Sequence, residues 1–95
     1  MVSKEEIQKW KEQYGSVFKI SVADKVAYLK TPDRKTMSYA STVGAKNPIK
    51  FNEVLLKNCW LGGDEEIQTN DSLFMSVSTQ IAEIIEIKEA KLEKL

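Results

Sequence analysis

Apolar residues recur along this chain with two different periods, and the change of period divides it into helices and a hairpin. Ile7, Trp10 and Tyr14 return at helical spacing among Lys4, Lys9, Lys11 and Glu12, predicting a short amphipathic helix ended by Gly15. Ser3 followed by Glu6 fits a capping box, with Val2 and Ile7 placed as a hydrophobic staple. From Val17 to Val22, and again from Val26 to Lys30, the chain is rich in β-branched and aromatic residues, with only Ala23-Asp24-Lys25 between the runs. That pattern predicts a two-stranded antiparallel β-hairpin. A two-residue turn at Asp24-Lys25 would set Val22 opposite Ala27 and Ile20 opposite Leu29. Phe18, Ile20, Val22, Ala27 and Leu29 would then share one face, and Lys19, Ser21, Val26, Tyr28 and Lys30 the other. Asp-Lys lacks the glycine that such turns favour, so a longer loop with a shifted register stays open.

Three further helices are expected. Thr31-Pro32-Asp33 stops the second strand and opens a helix, with proline at a first helical position and threonine or aspartate as its cap; Met37, Ala40 and Val43 give it an apolar stripe before Gly44. Asn47-Pro48 starts the next one, whose inward face is Phe51, Val54, Leu55 and Leu56, running into Cys59 and Trp60. Gly62 or Gly63 is expected to cap its end in a left-handed conformation, with a loop over residues 62–70. Asn70 or Asp71 then caps a long C-terminal helix over about residues 71–94. At ~100° per residue it carries Leu73, Phe74, Val77, Ile81, Ile84, Ile85, Leu92 and Leu95 on one stripe, with Lys88 intruding. The fold class is therefore α+β, one domain over residues 1–95. A lone hairpin is marginal in water, so the helices must cover its apolar face. Expected core residues are Ile7, Trp10, Phe18, Ile20, Val22, Leu29, Phe51, Leu55, Cys59, Trp60, Phe74, Val77, Ile81 and Ile84.

Composition narrows the function. The chain is 42% hydrophobic and 29% charged, an ordinary globular balance, and no apolar run reaches the ~18–20 residues that span a bilayer. Met1-Val2-Ser3-Lys4-Glu5-Glu6 lacks the apolar core of a secretory signal. Cys59 is the only cysteine, as expected in a reducing compartment, so a cytoplasmic location is expected and no membrane partner. With no histidine, the commonest general base and the commonest zinc ligand are missing, so no metal, cofactor or catalytic residue is expected and an enzyme is the least favoured reading. Fourteen basic residues against fourteen acidic, with Arg34 the only arginine, disfavour nucleic acid as a partner, although Lys30 to Lys35 is locally basic.

The candidate sites each have a plainer reading. Asp64, Glu65, Glu66 and Asp71 do not follow the spacing of a calcium loop and read as solvated loop acids. Gly62-Gly63 follows a helix and lacks the Walker lysine, so it is no phosphate cradle. Cys59, among Leu55, Leu56 and Trp60, reads as a small buried hydrophobe. Asp33-Arg34-Lys35-Thr36 is a charged first turn before it is a binding site. Trp10, Tyr14, Tyr28, Tyr39 and Trp60 are the aromatic candidates for recognition, since such rings dominate interfaces.

Three segments carry a family likeness: Val26-Ala27-Tyr28-Leu29, Pro32 to Ser38, and Leu55 through Trp60-Leu61-Gly62-Gly63-Asp64-Glu65-Glu66-Ile67; Ile84 to Ala90 adds a fourth. Over nearly its whole length the chain resembles small phage and prophage proteins that are similar to tail assembly chaperones of long-tailed phages. The resemblance implies a non-enzymatic binder in the bacterial host cell that keeps a helical tape-measure protein soluble, or acts on tail-tube subunits. Arg34, Trp60, Met75, Ile87, Leu92 and Leu95 are the expected partner contacts, and a homo-oligomer is a further arrangement the apolar terminal stripe permits. The rival readings are a small phage-encoded nucleic-acid-binding regulator acting through Arg34 and Lys35, and a minor structural subunit of the virion.

Overall fold

The computed structural model describes residues 2–85 and 90–95. Helix α1 (Lys4–Tyr14) leads into strands β1 (Val17–Val22) and β2 (Lys25–Lys30), then helices α2 (Arg34–Val43) and α3 (Pro48–Cys59). A third strand, β3 (Trp60–Gly63), precedes the short α4 (Glu66–Thr69), then α5 (Asp71–Ser78) and a 3₁₀ turn, Ile81–Ile84. The class is mixed helix and sheet, α+β, but its sheet has three antiparallel strands in the order β1-β2-β3. Among the described residues no helix is long and apolar enough to cross a membrane.

Local chemistry explains most of the boundaries. The Glu6 N–H donates to Ser3 Oγ at 3.2 Å, making the serine half of the capping box, and Gly15 ends α1 at φ 85°. Asp33 caps α2 by accepting from the Thr36 N–H at 2.7 Å, which leaves Pro32 just before the cap and not at the first helical position, Arg34. Asn47 caps α3, with Pro48 at the first turn as expected, and Asn70 caps α5.

The hairpin corrects the expected register. Val22 faces Lys25, Ile20 faces Ala27 and Phe18 faces Leu29, so the turn residues are Ala23 and Asp24. The difference is two residues along one strand. Because side chains alternate with a period of two, every residue keeps its expected face. Ala27 and Leu29 are fully buried, with Phe18, Ile20 and Val22 packed beside them against the cluster of Leu55, Leu56, Cys59, Ile67, Val77, Ile81 and Ile84.

Gly62 and Gly63 do not cap α3. The helix stops at Cys59, Trp60 turns directly into extended backbone (φ −65°, ψ 124°), and the glycines belong to β3. Gly63 pairs with Ala27, Gly62 with Tyr28 and Trp60 with Leu29, leaving Leu61 as the extra residue of a bulge. A Cβ on Gly63 would lie 2.3 Å from the Val26 carbonyl oxygen, and its φ of 127° is itself glycine territory. Residues 62–70 are accordingly not one loop but the end of β3, a turn and α4, which buries Ile67 completely.

The terminal helix is also shorter than expected. α5 spans eight residues, and residues 90–95 have no regular secondary structure; Glu86, Ile87, Lys88 and Glu89 lie outside the described residues. Three hydroxyls turn back on the helix that carries them: Ser76 donates to the Ser72 carbonyl, Ser78 to Phe74 and Thr79 to Ser76. Such bonds compete with helix propagation. The chain tightens through Thr79 and Gln80 into the 3₁₀ turn, where i and i+3 eclipse, so Ile81 and Ile84 still both enter the core.

Two expected core residues sit elsewhere. Ile7 and Trp10 are half-buried and α1 contains no buried residue. Trp10 lies against Tyr28 on the sheet face opposite Leu29, with ring centroids 5.8 Å apart.

Candidate functional site

The four residues Gly44 to Asn47 fold α3 back beside α2. Gly44 makes this possible: a Cβ there would stand 2.6 Å from Phe51 Cβ and 2.8 Å from the Ala40 carbonyl oxygen. Ala40 is fully buried, and together these small residues let the two helices approach closely. On the outer side, Tyr39 and Val43, one turn apart on α2, face Lys50, Glu53, Val54, Lys57 and Asn58 of α3 across an open groove of about 520 Å³. Val43 and Val54 are its apolar lining, together with Tyr39, a residue 57% exposed. Lys50 and Lys57 provide the charge; Glu53 sits between them and pairs with Lys50 at 3.4 Å. Asn58 is held by donating its amide to the Val54 carbonyl at 2.8 Å.

The electrostatics of the groove follow from a segregation that the zero net charge conceals. From residue 25 to residue 60 the chain carries Lys25, Lys30, Arg34, Lys35, Lys46, Lys50 and Lys57 against only Asp33 and Glu53. From residue 61 onward the balance reverses, with Asp64, Glu65, Glu66, Asp71, Glu83, Glu86, Glu89 and Glu93 against Lys88, Lys91 and Lys94. Helices α2 and α3 with their connection carry Arg34, Lys35, Lys46, Lys50 and Lys57 against Glu53.

Of the expected contact residues that are described, the structure brings none into this groove. Arg34 is exposed at the first position of α2, and Met75 is half-exposed on α5. Leu92 and Leu95 are fully exposed, while Ile87 lies outside the described residues. Trp60 is packed against the core from β3, so its ring is occupied by folding. Tyr39 was among the aromatic candidates; Val43 and Val54 read only as stripe residues. The overlooked signal was the charge segregation, which a whole-chain sum hides.

The other candidates resolve into structural roles. Burial pushes the Cys59 thiol up to about 11, so the thiolate that a nucleophile needs is disfavoured at neutral pH. Asp64 is no idle loop acid: its Oδ2 accepts from the Val26 N–H at 2.9 Å and its own N–H donates to the Val26 carbonyl at 2.8 Å, tying β2 to β3. Glu66 reaches Lys25 at 3.6 Å. Among the described residues no three acidic, cysteine or histidine side chains gather as a metal site would require. The Asp33 carboxyl is held below its ordinary value by the Thr36 N–H it accepts from.

Comparison of the chain with protein-family models, with curated proteins and with solved structures finds no match.

Proposed function

We propose that this protein is a non-enzymatic protein-binding module, an assembly chaperone or adaptor in phage tail morphogenesis that works on tape-measure or tail-tube protein in the cytoplasm of the bacterial host. The observation that carries the reading is the amount of apolar surface left uncovered on so small a domain. Tyr39, Ile49, Met75, Leu92 and Leu95 are all more than 45% exposed, and the first of these lines an open groove. Scattered single hydrophobes are normal on surfaces, but a ring on a groove wall offers a place for a partner helix. The resemblance of residues 26–29, 32–38, 55–67 and 84–90 to tail assembly chaperones supplies the biological setting.

The direct test is co-expression with a tape-measure protein of a long-tailed phage. Increased solubility of that protein, and its co-purification with this one, is the expected result; an unchanged insoluble fraction would sink the reading. The basic α2–α3 stretch favours one second reading, a nucleic-acid-binding regulator. It requires retention on DNA that is lost steeply as salt rises and is abolished by Arg34→Ala with Lys35→Ala.

A further inference from the structure

We infer that the groove between α2 and α3 receives an acidic amphipathic helix of a partner protein, its apolar side against Tyr39, Val43 and Val54 and its carboxylates beside Lys50 and Lys57. This rests on the protein-binding reading above and narrows it to one surface and one partner chemistry. The shape comes from two helices lying side by side, with the partly buried Val43 and Val54 between them and the exposed Tyr39 ring beside them, an arrangement in which a third helix can seat its own apolar stripe.

Charge selects the occupant. Lys46, Lys50 and Lys57 lie along α3 and its entry, within a stretch holding seven basic residues and two acidic ones. Their long stems can lie along an apolar partner while their ammonium groups meet its carboxylates. A nucleic acid fits less well. The only arginine, Arg34, does not line the groove, and the apolar Tyr39, Val43 and Val54 surface gives a phosphate backbone nothing to contact, whereas Lys57 and the Lys50 that Glu53 already pairs with at 3.4 Å border an apolar seat. A second copy also fits less well: the densest acidic group of this chain, Asp64, Glu65 and Glu66, leads into the four-residue α4, too short to lie along the groove.

The test measures fluorescence anisotropy of a labelled peptide of about three heptads, leucine at a and d and glutamate elsewhere. Its counterpart has lysine for glutamate, and a single-stranded oligonucleotide of similar length serves as the third probe. The acidic peptide should bind, the lysine peptide should not, and Lys50→Glu with Lys57→Glu should reverse that preference with at least ~tenfold loss for the acidic peptide. Tyr39→Ala should weaken binding without touching either charge, and circular dichroism confirms that each variant is folded. Equal binding of the two peptides, no binding, or an unaffected double variant would overturn the proposal. Tighter binding of the oligonucleotide would replace it with the nucleic-acid reading. Concentration-dependent dimerisation abolished by Tyr39→Asp would assign the groove to a second copy.

Co-expression separates this proposal from the one beneath it. If the wild-type chain solubilises the tape-measure protein and the double-lysine variant does so equally well, the groove assignment fails and the chaperone reading stands. If the wild type does not rescue it while peptide selectivity holds, the tail-assembly reading fails and the acidic-helix groove stands.

Discussion

The two faces of the central sheet are held by different means. On one, Ala27 and Leu29 are sealed from water by α3, α4, α5 and the 3₁₀ turn, and the whole buried core lies there. On the other, α1 contributes no buried residue: Trp10 leans on Tyr28 at 43°, the Lys30 ammonium lies 4.7 Å from the Tyr14 ring, and Gly62 leaves room beneath the indole. Full burial of a leucine is worth about 1.5–3 kcal/mol, whereas an exposed cation–π contact is worth about 0.5–1. The lesson is that α1 is a light covering on an already closed structure, and light coverings open locally before the core does.

The adjacent glycines of β3 test that asymmetry most severely. Gly63→Ala drives a Cβ into the Val26 carbonyl oxygen and demands a φ of 127°, and neither backbone can give way. A loss of about 3 kcal/mol or more is expected in chemical denaturation, from strain and from the broken Asp64–Val26 tie. Gly62→Ala meets only side chains, the edge of the Trp10 ring at 3.1 Å and Val2 at 3.5 Å, and α1 can move. Its cost should stay below about 1 kcal/mol. Equal costs for the two would mean that α1 is as firmly seated as the sheet.

Leucine and tryptophan on opposite faces give the next contrast. Leu29→Ala should destabilise by about 2–5 kcal/mol, the range for a fully enclosed aliphatic. Trp10→Ala removes a larger side chain, yet should cost only about 1–2 kcal/mol because the indole is only partly buried and α1 can resettle over the sheet. Amide exchange should show α1 losing protection in that variant while β2 retains it. If Trp10→Ala proves the worse of the two, the view of α1 as a peripheral element is wrong.

How far the sequence made this legible depends on which signal each element emits. The cap of α1, the hairpin with its two faces, and the inward residues of α3 were readable because each repeats a local rule over a full element. β3 was not. Four residues, two of them glycine, carry no alternation and low strand propensity; they pair only because β2 offers an open edge and Gly63 tolerates the approach. The long terminal helix failed for the opposite reason. Val77, Ile81 and Ile84 do share a side, but a helix and a helix broken into a 3₁₀ turn present the same spacing, and the deciding hydroxyls of Ser76, Ser78 and Thr79 carry no period. At the groove, Tyr39 stood out as an aromatic, while its basic rim was hidden by acids placed after residue 60.

A smaller effect is expected where β2 leaves the core face. Thr31 has its hydroxyl enclosed with no hydrogen-bond partner among the described residues. Valine has nearly the same shape and no polar atom to desolvate, so Thr31→Val should stabilise by about 1 kcal/mol and raise the thermal midpoint by a few degrees. Destabilisation would show that the hydroxyl is solvated in solution. The change lies on the strand's exit toward α2, so exchange in α1 should not respond.

The smallest effect separates the caps that open the helices on the two sides. α1 begins at the Ser3 hydroxyl, which does not titrate in the accessible range, whereas α2 begins at the Asp33 carboxylate. The Thr36 N–H favours the ionised form and lowers the Asp33 pKa, with Lys30 and Lys35 adding to it. A carboxyl whose folded pKa is depressed contributes stability that is fully present above its unfolded pKa and is lost as pH falls through the folded one. Acidification below about pH 4 should therefore loosen the first turn of α2 while leaving the Ser3 cap untouched. Asparagine caps as well as aspartate but carries no titrating proton. Asp33→Asn should leave neutral-pH stability nearly unchanged and flatten the acid limb of the stability curve, with the difference read at the Thr36 amide. An acid limb of the same slope in the variant would show that this cap is made by a neutral carboxyl, and the electrostatic distinction between the two helix starts would disappear.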